Sequence, residues 1–353
     1  MSRFIRADLD AVKEYVPGEQ PKDMRYVKLN TNESPFPPSP KVTEAVTKAA
    51  KTLNLYSDPE LTALTAMTAK TYGVDAECLL MTNGSDEILN FAFCAFGSKT
   101  SPFVFPSLTY GFYPVFAELY GIPYVKIPLK SDFSIDVNDY RNVGANIAIA
   151  NPNAPTGKIL SVKDIETILC SNREHVVVID EAYIDFGGES CIKLINKYDN
   201  LLVTRTFSKS FSLAGARLGF GAGDRELIKD LKKIKYSTNP YNVNSVTDAA
   251  GRAALEDYEY YMNNCSVIAK NRDFFAEELK KRGFFVTDSK ANFLFASHLK
   301  LSGREYYLKL KERGVLVRHF GSTGAENFVR ITVGTEEQMN TLLYETDKIL
   351  AGE

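Results

Sequence analysis

Four short apolar runs in this chain each end in a cluster of polar residues. Pro106-Ser107-Leu108-Thr109-Tyr110 follows the run 103–105, and Asn151-Pro152-Asn153-Ala154-Pro155-Thr156-Gly157 follows 147–150. Asp180-Glu181-Ala182-Tyr183 follows 176–179, and Arg205-Thr206-Phe207-Ser208-Lys209 follows 201–204. Gly84-Ser85-Asp86 adds the start of a helix. A helix start offers unpaired N–H groups and the positive end of a dipole, which suits a phosphate. Ser208 and Arg217 can add a hydroxyl and a guanidinium to the same phosphate. An aspartate leaving a buried strand, as Asp180 does, sits in low dielectric and needs a partner such as a protonated pyridine nitrogen. A lysine in the same crevice, Lys209, has its pKa lowered by restricted solvent and nearby cations. It can then attack an aldehyde to form a Schiff base.

Taken singly, each residue has an ordinary structural explanation. An Asp after a strand is commonly a turn or cap residue, and Tyr110 and Tyr183 suit half-buried aromatics. The set is more demanding. Phosphate site, carboxylate, lysine and aromatic cover match pyridoxal 5′-phosphate better than any nucleotide. Gly219-Phe220-Gly221-Ala222-Gly223 lacks the G-x-G-x-x-G spacing and follows the lysine rather than opening the first βα unit, so a nicotinamide cofactor is not expected. Cys78, Cys94, Cys170, Cys191 and Cys265 are scattered without a C-x-x-C pair, and His175, His298 and His319 are far apart. Neither a disulfide framework nor a metal site is expected.

The elements that must position these groups follow from periodicity. Buried strands are expected at 103–105, 124–127, 147–150, 176–179, 201–204 and 218–222, with helices such as 86–95 and 162–170 between them. This alternation predicts an α/β fold with a mostly parallel central sheet covered on both faces, and functional groups collected beyond its carboxyl ends. Before it, 27–30 can form a short strand. Ser39-Pro40 reads as a hydroxyl cap and a proline first turn for a helix over 41–52. Later the rhythm changes. An amphipathic stretch 257–281 stops at Arg282-Gly283. Strands 284–287, 293–296, 315–318 and 328–332 and a helix near 304–313 then precede a last helix. That helix opens on the capping box Thr335-x-x-Gln338 and keeps Met339, Leu342, Leu343, Ile349 and Leu350 inside. The pattern gives an N-terminal arm (1–38), a large domain (39–255) and a smaller α+β domain (256–353).

The 353 residues suit two domains, and 44% hydrophobic with 24% charged residues is a globular composition. A net charge of −2 without a long basic run gives no support to nucleic acid or anionic membrane as a bulk partner. The start, MSRFIRADLDAVKEY, has no apolar core of a secretory signal, and no apolar run approaches a membrane span. A cytoplasmic location is expected.

Asp180-Glu181-Ala182-Tyr183 and the stretch Thr206-Phe207-Ser208-Lys209-Ser210-Phe211-Ser212-Leu213-Ala214-Gly215-Ala216-Arg217-Leu218-Gly219 resemble the fold-type-I aminotransferases, and within them the histidinol-phosphate aminotransferases. Leu29-Asn30-Thr31-Asn32-Glu33, Tyr56-Ser57-Asp58, Gly84-Ser85-Asp86-Glu87, Pro240-Tyr241-Asn242-Val243-Asn244, Ala291-Asn292-Phe293 and Val329-Arg330-Ile331-Thr332-Val333-Gly334-Thr335 extend the likeness over nearly the whole chain. The resemblance implies the PLP-dependent transferase fold and amino transfer between L-histidinol phosphate and 2-oxoglutarate. An aromatic-amino-acid aminotransferase and a threonine-phosphate decarboxylase share the fold. A non-catalytic cofactor-binding protein would be expected to lack Lys209 or Asp180.

By the same resemblance, Lys209 holds the cofactor and then carries the proton, Asp180 pairs with the ring nitrogen, and Tyr183 donates to the ring's phenolic oxygen. Tyr110 stacks on the ring, while Gly84, Ser85, Asp86, Thr206, Ser208 and Arg217 surround the phosphate. Tyr56 reaches over from the second subunit of a homodimer with shared active sites. Arg330 and Arg318, with Tyr15 and Asn32, hold the substrate. The family usually has Asn immediately before Pro-Thr-Gly, where this chain has Ala154; either Asn153 takes over its bond to the phenolic oxygen or Tyr183 acts alone.

Overall fold

Runs such as Ile147-Ala148-Ile149-Ala150 carry apolar side chains at every position, so a strand made from them must be covered on both faces. A computed structural model describing residues 2–10, 12–321 and 324–353 shows how this is done. Val27–Lys28 (β1), Pro40–Ala49 (α1) and Thr62–Tyr72 (α2) lead into Leu79–Thr82 (β2), Ser85–Phe96 (α3) and Phe103–Pro106 (β3). Phe112–Leu119 (α4), Tyr124–Ile127 (β4), Asn146–Ala150 (β5) and Val162–Ser171 (α5) follow. Val177–Asp180 (β6), Leu201–Thr206 (β7) and Gly219–Gly223 (β8) complete a seven-stranded sheet of order β2-β8-β7-β6-β5-β3-β4. β8 is antiparallel to both its neighbours, and the remaining pairs are parallel.

Strand alternation sorts the side chains between two cores. Ile147, Ile149, Val177, Ile179, Leu201 and Val203 enter one; Ala148, Ala150, Val178 and Leu202 enter the other, with Ile88, Leu89 and Phe93 of α3. The sequence carries no clear strand signal at β2, where Leu79-Leu80-Met81-Thr82 has a single β-branched residue. Its strand state comes from pairing with β8, a tertiary effect.

The connection from β7 to β8, residues 207–218, contains a short 3-10 turn and no crossover helix, so β8 returns antiparallel. The consequence is functional. The loop begins and ends at the carboxyl end of β7, which brings Arg217 back beside Lys209.

Arg225–Thr238 (α6), Ser245–Glu256 (α7) and Tyr258–Lys281 (α8) lead to the second core. There Phe284–Val286 (β9), Phe293–His298 (β10), Gly303–Glu312 (α9), Val315–Leu316 (β11), Arg318–His319 (β12), Phe328–Thr332 (β13) and Glu336–Ala351 (α10) build a sheet of order β12-β13-β10-β9 with its own apolar cluster. The single strand expected at 315–318 is two. β11 pairs in parallel with β1, the chain turns at buried Val317, and β12 joins β13 with Arg318 opposite Arg330. The capping box at Thr335 and Gln338 forms. Leu350 is not inside: it lies in the last turn of α10 and is 38% exposed. Ser39 makes no side-chain cap; Pro40 begins α1, and the Ser39 N–H donates to Tyr261 Oη instead. Among the described residues no helix is long and apolar enough to cross a membrane.

Candidate active site

A cleft of 730 Å³ opens at the carboxyl ends of the parallel strands. The chain leaves β3 towards edge strand β4 and leaves β5 towards β6, so winding reverses between β3 and β5, the place where open α/β sheets bind ligands. Tyr15, Asn32, Ser85, Asp86, Tyr110, Asp180, Tyr183, Thr206, Ser208, Lys209, Arg217, Arg318 and Arg330 all line this one cleft. Residues spread over three hundred positions of sequence therefore face a common space.

Asp180 ends β6 and is 4% exposed. Register sets its partner: Asp180 lies opposite Thr204 on β7, and the Thr204 hydroxyl donates to Asp180 Oδ1 at 2.9 Å. Tyr113 Oη approaches Oδ2 at 3.4 Å. Burial pushes the carboxyl up to about 6, with the two hydroxyl donors opposing that rise. Such a carboxylate is short of a cation, and a protonated ring nitrogen would supply one. Thr204 and Tyr113 hold its geometry; sequence reading did not single them out, although strand register would have found Thr204.

Lys209 follows β7 and points into the same cleft, with Nζ 3.4 Å from Thr31 O and 5.9 Å from the Tyr183 ring centroid. Burial, and then the nearby Arg330 cation, push its ammonium down to about 8, against the pull of Glu33 and Asp86. At pH 7 about one such amine in ten is uncharged, against roughly one in three thousand for a free lysine. The folded state holds fewer protons between pH 8 and the free lysine value, so this group penalises the fold below pH 8 and that penalty fades as pH rises towards 10.5. Competitive acetic anhydride labelling of the cofactor-free protein, read by mass spectrometry, should show Lys209 acetylation titrating near pH 8. A midpoint near that of exposed lysines would contradict it.

The part of the cleft where a phosphate is expected is built by close backbone approach. Gly84 caps α3 at φ 76°, and a Cβ there would meet Arg217 Nη2 at 2.7 Å. A Cβ on Gly219 would lie 2.6 Å from the Ser85 nitrogen, so only glycine lets β8 pass under the start of α3. Arg217 itself is left-handed (φ 56°) and bonds Asp86 Oδ2 at 3.0 Å. Asp86 also accepts from Tyr110 Oη at 2.6 Å. Its carboxylate thus orients Arg217 and Tyr110 and has no donor of its own for an anion. Ser208 is 5% exposed, and its Oγ has no hydrogen-bond partner among the described residues. An orphaned hydroxyl, a guanidinium and a helix start converging on one place fit the phosphate of pyridoxal phosphate.

Across the cleft stand the two arginines that β12 and β13 set opposite each other. Arg330 lies over the Phe293 ring at 5.4 Å and the Phe320 ring at 5.7 Å, donates to Asn30 O at 3.2 Å, and leaves Nε unpaired among the described residues. Arg318 donates to Pro17 O at 3.1 Å and Val16 O at 3.0 Å, which ties the N-terminal arm over the cleft. Tyr15 of that arm stacks on Phe112 at 4.2 Å. No salt bridge to either arginine is found among the described residues, and two such guanidiniums suit a phosphate or a carboxylate.

Two expected residues lie elsewhere, and one lies in the cleft differently occupied. Asn153 does not reach the cleft. Its Oδ1 accepts from Thr109, and its Nδ2 donates to Leu108 O and Thr156 Oγ1, so the turn has folded the amide inward. Ala154 lines the cleft in its place, leaving Tyr183 as the hydroxyl on that side. Tyr56 is 84% exposed and stacks on Tyr241 at 4.6 Å, outside its own chain's cleft. Asn32 is in the cleft wall, but its amide donates to Tyr183 Oη at 2.9 Å.

The sequence model of the aminotransferase class I and II family matches residues 25–345. The chain is 46% identical over 352 residues to the histidinol-phosphate aminotransferase of Brachyspira hyodysenteriae, covering 99% of each. It is 48% identical over 351 residues to that of Syntrophus aciditrophicus, covering 97% of this chain and 96% of the relative. Among solved structures, the histidinol-phosphate aminotransferase from Sinorhizobium meliloti in complex with pyridoxal-5′-phosphate matches with a TM-score of 0.85 at 22% identity, over 93% of this chain and 92% of that one. That last likeness carries the fold alone, whereas a family match across most of the sequence and relatives aligned end to end carry more: this chain belongs to the class I and II aminotransferases.

Proposed function

We propose that this chain transfers an amino group between L-histidinol phosphate and 2-oxoglutarate, with pyridoxal 5′-phosphate as cofactor, in histidine biosynthesis. The observation that carries the proposal is one cleft holding a lysine shifted to about 8, a buried carboxylate and two arginines without a salt bridge among the described residues. Relatives more than 40% identical across nearly the whole chain are histidinol-phosphate aminotransferases, which supports the substrate pair.

Bound here, the cofactor supplies an electron sink that makes the Cα–H bond of an amine breakable. The protein's residues do the rest. Ser85, Thr206, Ser208 and Arg217 would hold the phosphate, with Asp86 orienting Arg217. Tyr110 would cover the ring, Asp180 would keep a proton on the ring nitrogen, and Tyr183 would donate to the ring oxygen. Lys209 would hold the cofactor through its amine, and the same amine would move the substrate's Cα proton as a general base and acid. Arg330 and Arg318 hold the anionic end of either substrate, a phosphate or a carboxylate, under Tyr15 and the arm.

The reading extends to a homodimer in the cytoplasm. Tyr56 is exposed beside Leu53 at 57% and Leu55 at 64%, a surface that suits burial against a second copy, whose cleft Tyr56 would complete. The arm 1–38, a large domain 39–255 and a small domain 256–353 remain the proposed division.

A panel of amine donors tests the substrate. With 2-oxoglutarate as acceptor, kcat/KM for histidinol phosphate should exceed that for phenylalanine by about a hundredfold or more, since only the former presents a dianion to the two arginines. Equal values would assign an aromatic-amino-acid aminotransferase. Carbon dioxide release from threonine phosphate would assign a decarboxylase, and a bound cofactor that no amine converts would assign a binding protein.

A further inference from the structure

We infer that Thr332, acting through Asn32, fixes the direction in which the Tyr183 hydroxyl gives its proton, so that it is offered to the cleft. Thr332 is thereby a positioning residue for the contact to the ring oxygen, and the inference rests on the proposed cofactor reading.

A phenol has one hydrogen to give. Among the described residues, Tyr183 Oη has one hydrogen-bond partner, the Asn32 amide at 2.9 Å. Phe293 stands edge-on to its ring at 5.1 Å, and Ala154 and Ala291 pack in the same apolar group. The charges that act on the phenol are Arg330, Lys209, Asp180 and Asp86. If Asn32 presents its –NH2, the Tyr183 hydrogen is left for a ligand in the cleft. If Asn32 presents its oxygen, that hydrogen is captured within the protein. The orientation of one amide therefore decides whether Tyr183 is a donor to the cleft.

Thr332 settles that orientation. Its Oγ1 accepts from the Asn32 backbone N–H at 2.9 Å and lies 3.2 Å from Asn32 Oδ1. With Oδ1 on that side, the threonine hydrogen has an acceptor. With the amide turned over, the hydroxyl would face N–H groups on both sides. Its hydrogen would then have no acceptor among the described residues, at a position only 3% exposed. Asn32 cannot swing away to relieve this. It is pinned in the left-handed region at φ 55°, and its carbonyl accepts from Asn292 Nδ2 at 3.0 Å. The donors consequently run one way: Thr332 hydroxyl to Asn32 Oδ1, Asn32 Nδ2 to Tyr183 Oη, Tyr183 hydroxyl to the cleft.

The test is a pH titration of the visible absorption of bound pyridoxal phosphate, which reports the proton held beside the ring oxygen. A hydroxyl donor stabilises that oxygen as an anion and makes the neighbouring proton easier to lose. Thr332→Ser should titrate as the wild type does. Thr332→Val should titrate about one pH unit higher, a tenfold change, towards the value of Tyr183→Phe. Adding Asn32→Ala to Thr332→Val should bring the midpoint back towards the wild type, because nothing remains to capture the Tyr183 hydrogen. A Thr332→Val midpoint that stays put while Tyr183→Phe moves would overturn the inference alone, as would Thr332→Ser moving as far as Thr332→Val. A wild-type protein showing no visible band with the cofactor would overturn the underlying reading as well.

Discussion

Replacing Lys209 with alanine should lower turnover of every amine substrate by at least about 10⁴-fold, because the change removes both the covalent anchor and the group that moves the Cα proton. Lys13, Lys126 and His319 also line the cleft, but the basic side chains that bear directly on Lys209, Arg330 and Arg217, are guanidiniums, which stay charged and do not act as nucleophiles. Lys209→Arg should for the same reason be as inactive as the alanine variant. The loss should not be one of folding. The folded protein keeps this amine shifted down to about 8 by burial and by Arg330, so its removal relieves a penalty at neutral pH. Thermal melts of the cofactor-free variant at pH 7 should show a midpoint at or above that of the wild type, alongside initial rates at background.

Asp180→Asn should lower kcat on the order of 10³-fold with a much smaller change in KM, within the span usual for loss of a positioned acid–base partner. The substitution keeps the shape, and an amide oxygen can still accept from Thr204. What it loses is charge. A neutral amide cannot hold a proton on a ring nitrogen, so the developing charge on the substrate's carbon has nowhere to go. The carboxyl of Asp180 is raised to about 6 by burial, which means the protein supplies it with no cation of its own to balance. A variant that kept kcat within tenfold of the wild type would remove Asp180 from the chemistry and leave it as a structural residue of β6.

How much of this was written legibly in the sequence depends on distance along the chain. Asp180, Lys209 and the Asn151–Gly157 turn could be seen together because parallel strands bring their carboxyl ends to one edge, so each polar cluster after an apolar run points to the same place. The Arg217 position followed from its neighbourhood to Lys209. Contacts across sheets were another matter. Thr332 and Asn32 are 300 residues apart, and their pairing depends on how β13 meets the arm, which no spacing rule encodes. Thr204 opposite Asp180 needs the register of β6 on β7, and a one-residue slip would have put it on the other face. Asn153 was one of two alternatives for the ring-oxygen contact, and its amide is taken inward by Thr109, Leu108 and Thr156, partners that no spacing along the chain reveals. The split of 315–318 into two strands had the same origin: an unbroken apolar run gives no sign that the chain changes sheets at Val317.

The proposed chemistry requires a bond between the Lys209 nitrogen and the cofactor, formed next to Asp180. Borohydride reduction of the protein loaded with pyridoxal phosphate, followed by peptide mapping, tests it most directly. The reduced pyridoxyl group should be found on the peptide carrying Lys209 and on no other lysine. Full turnover in a protein whose label sits elsewhere, or is absent, would contradict it.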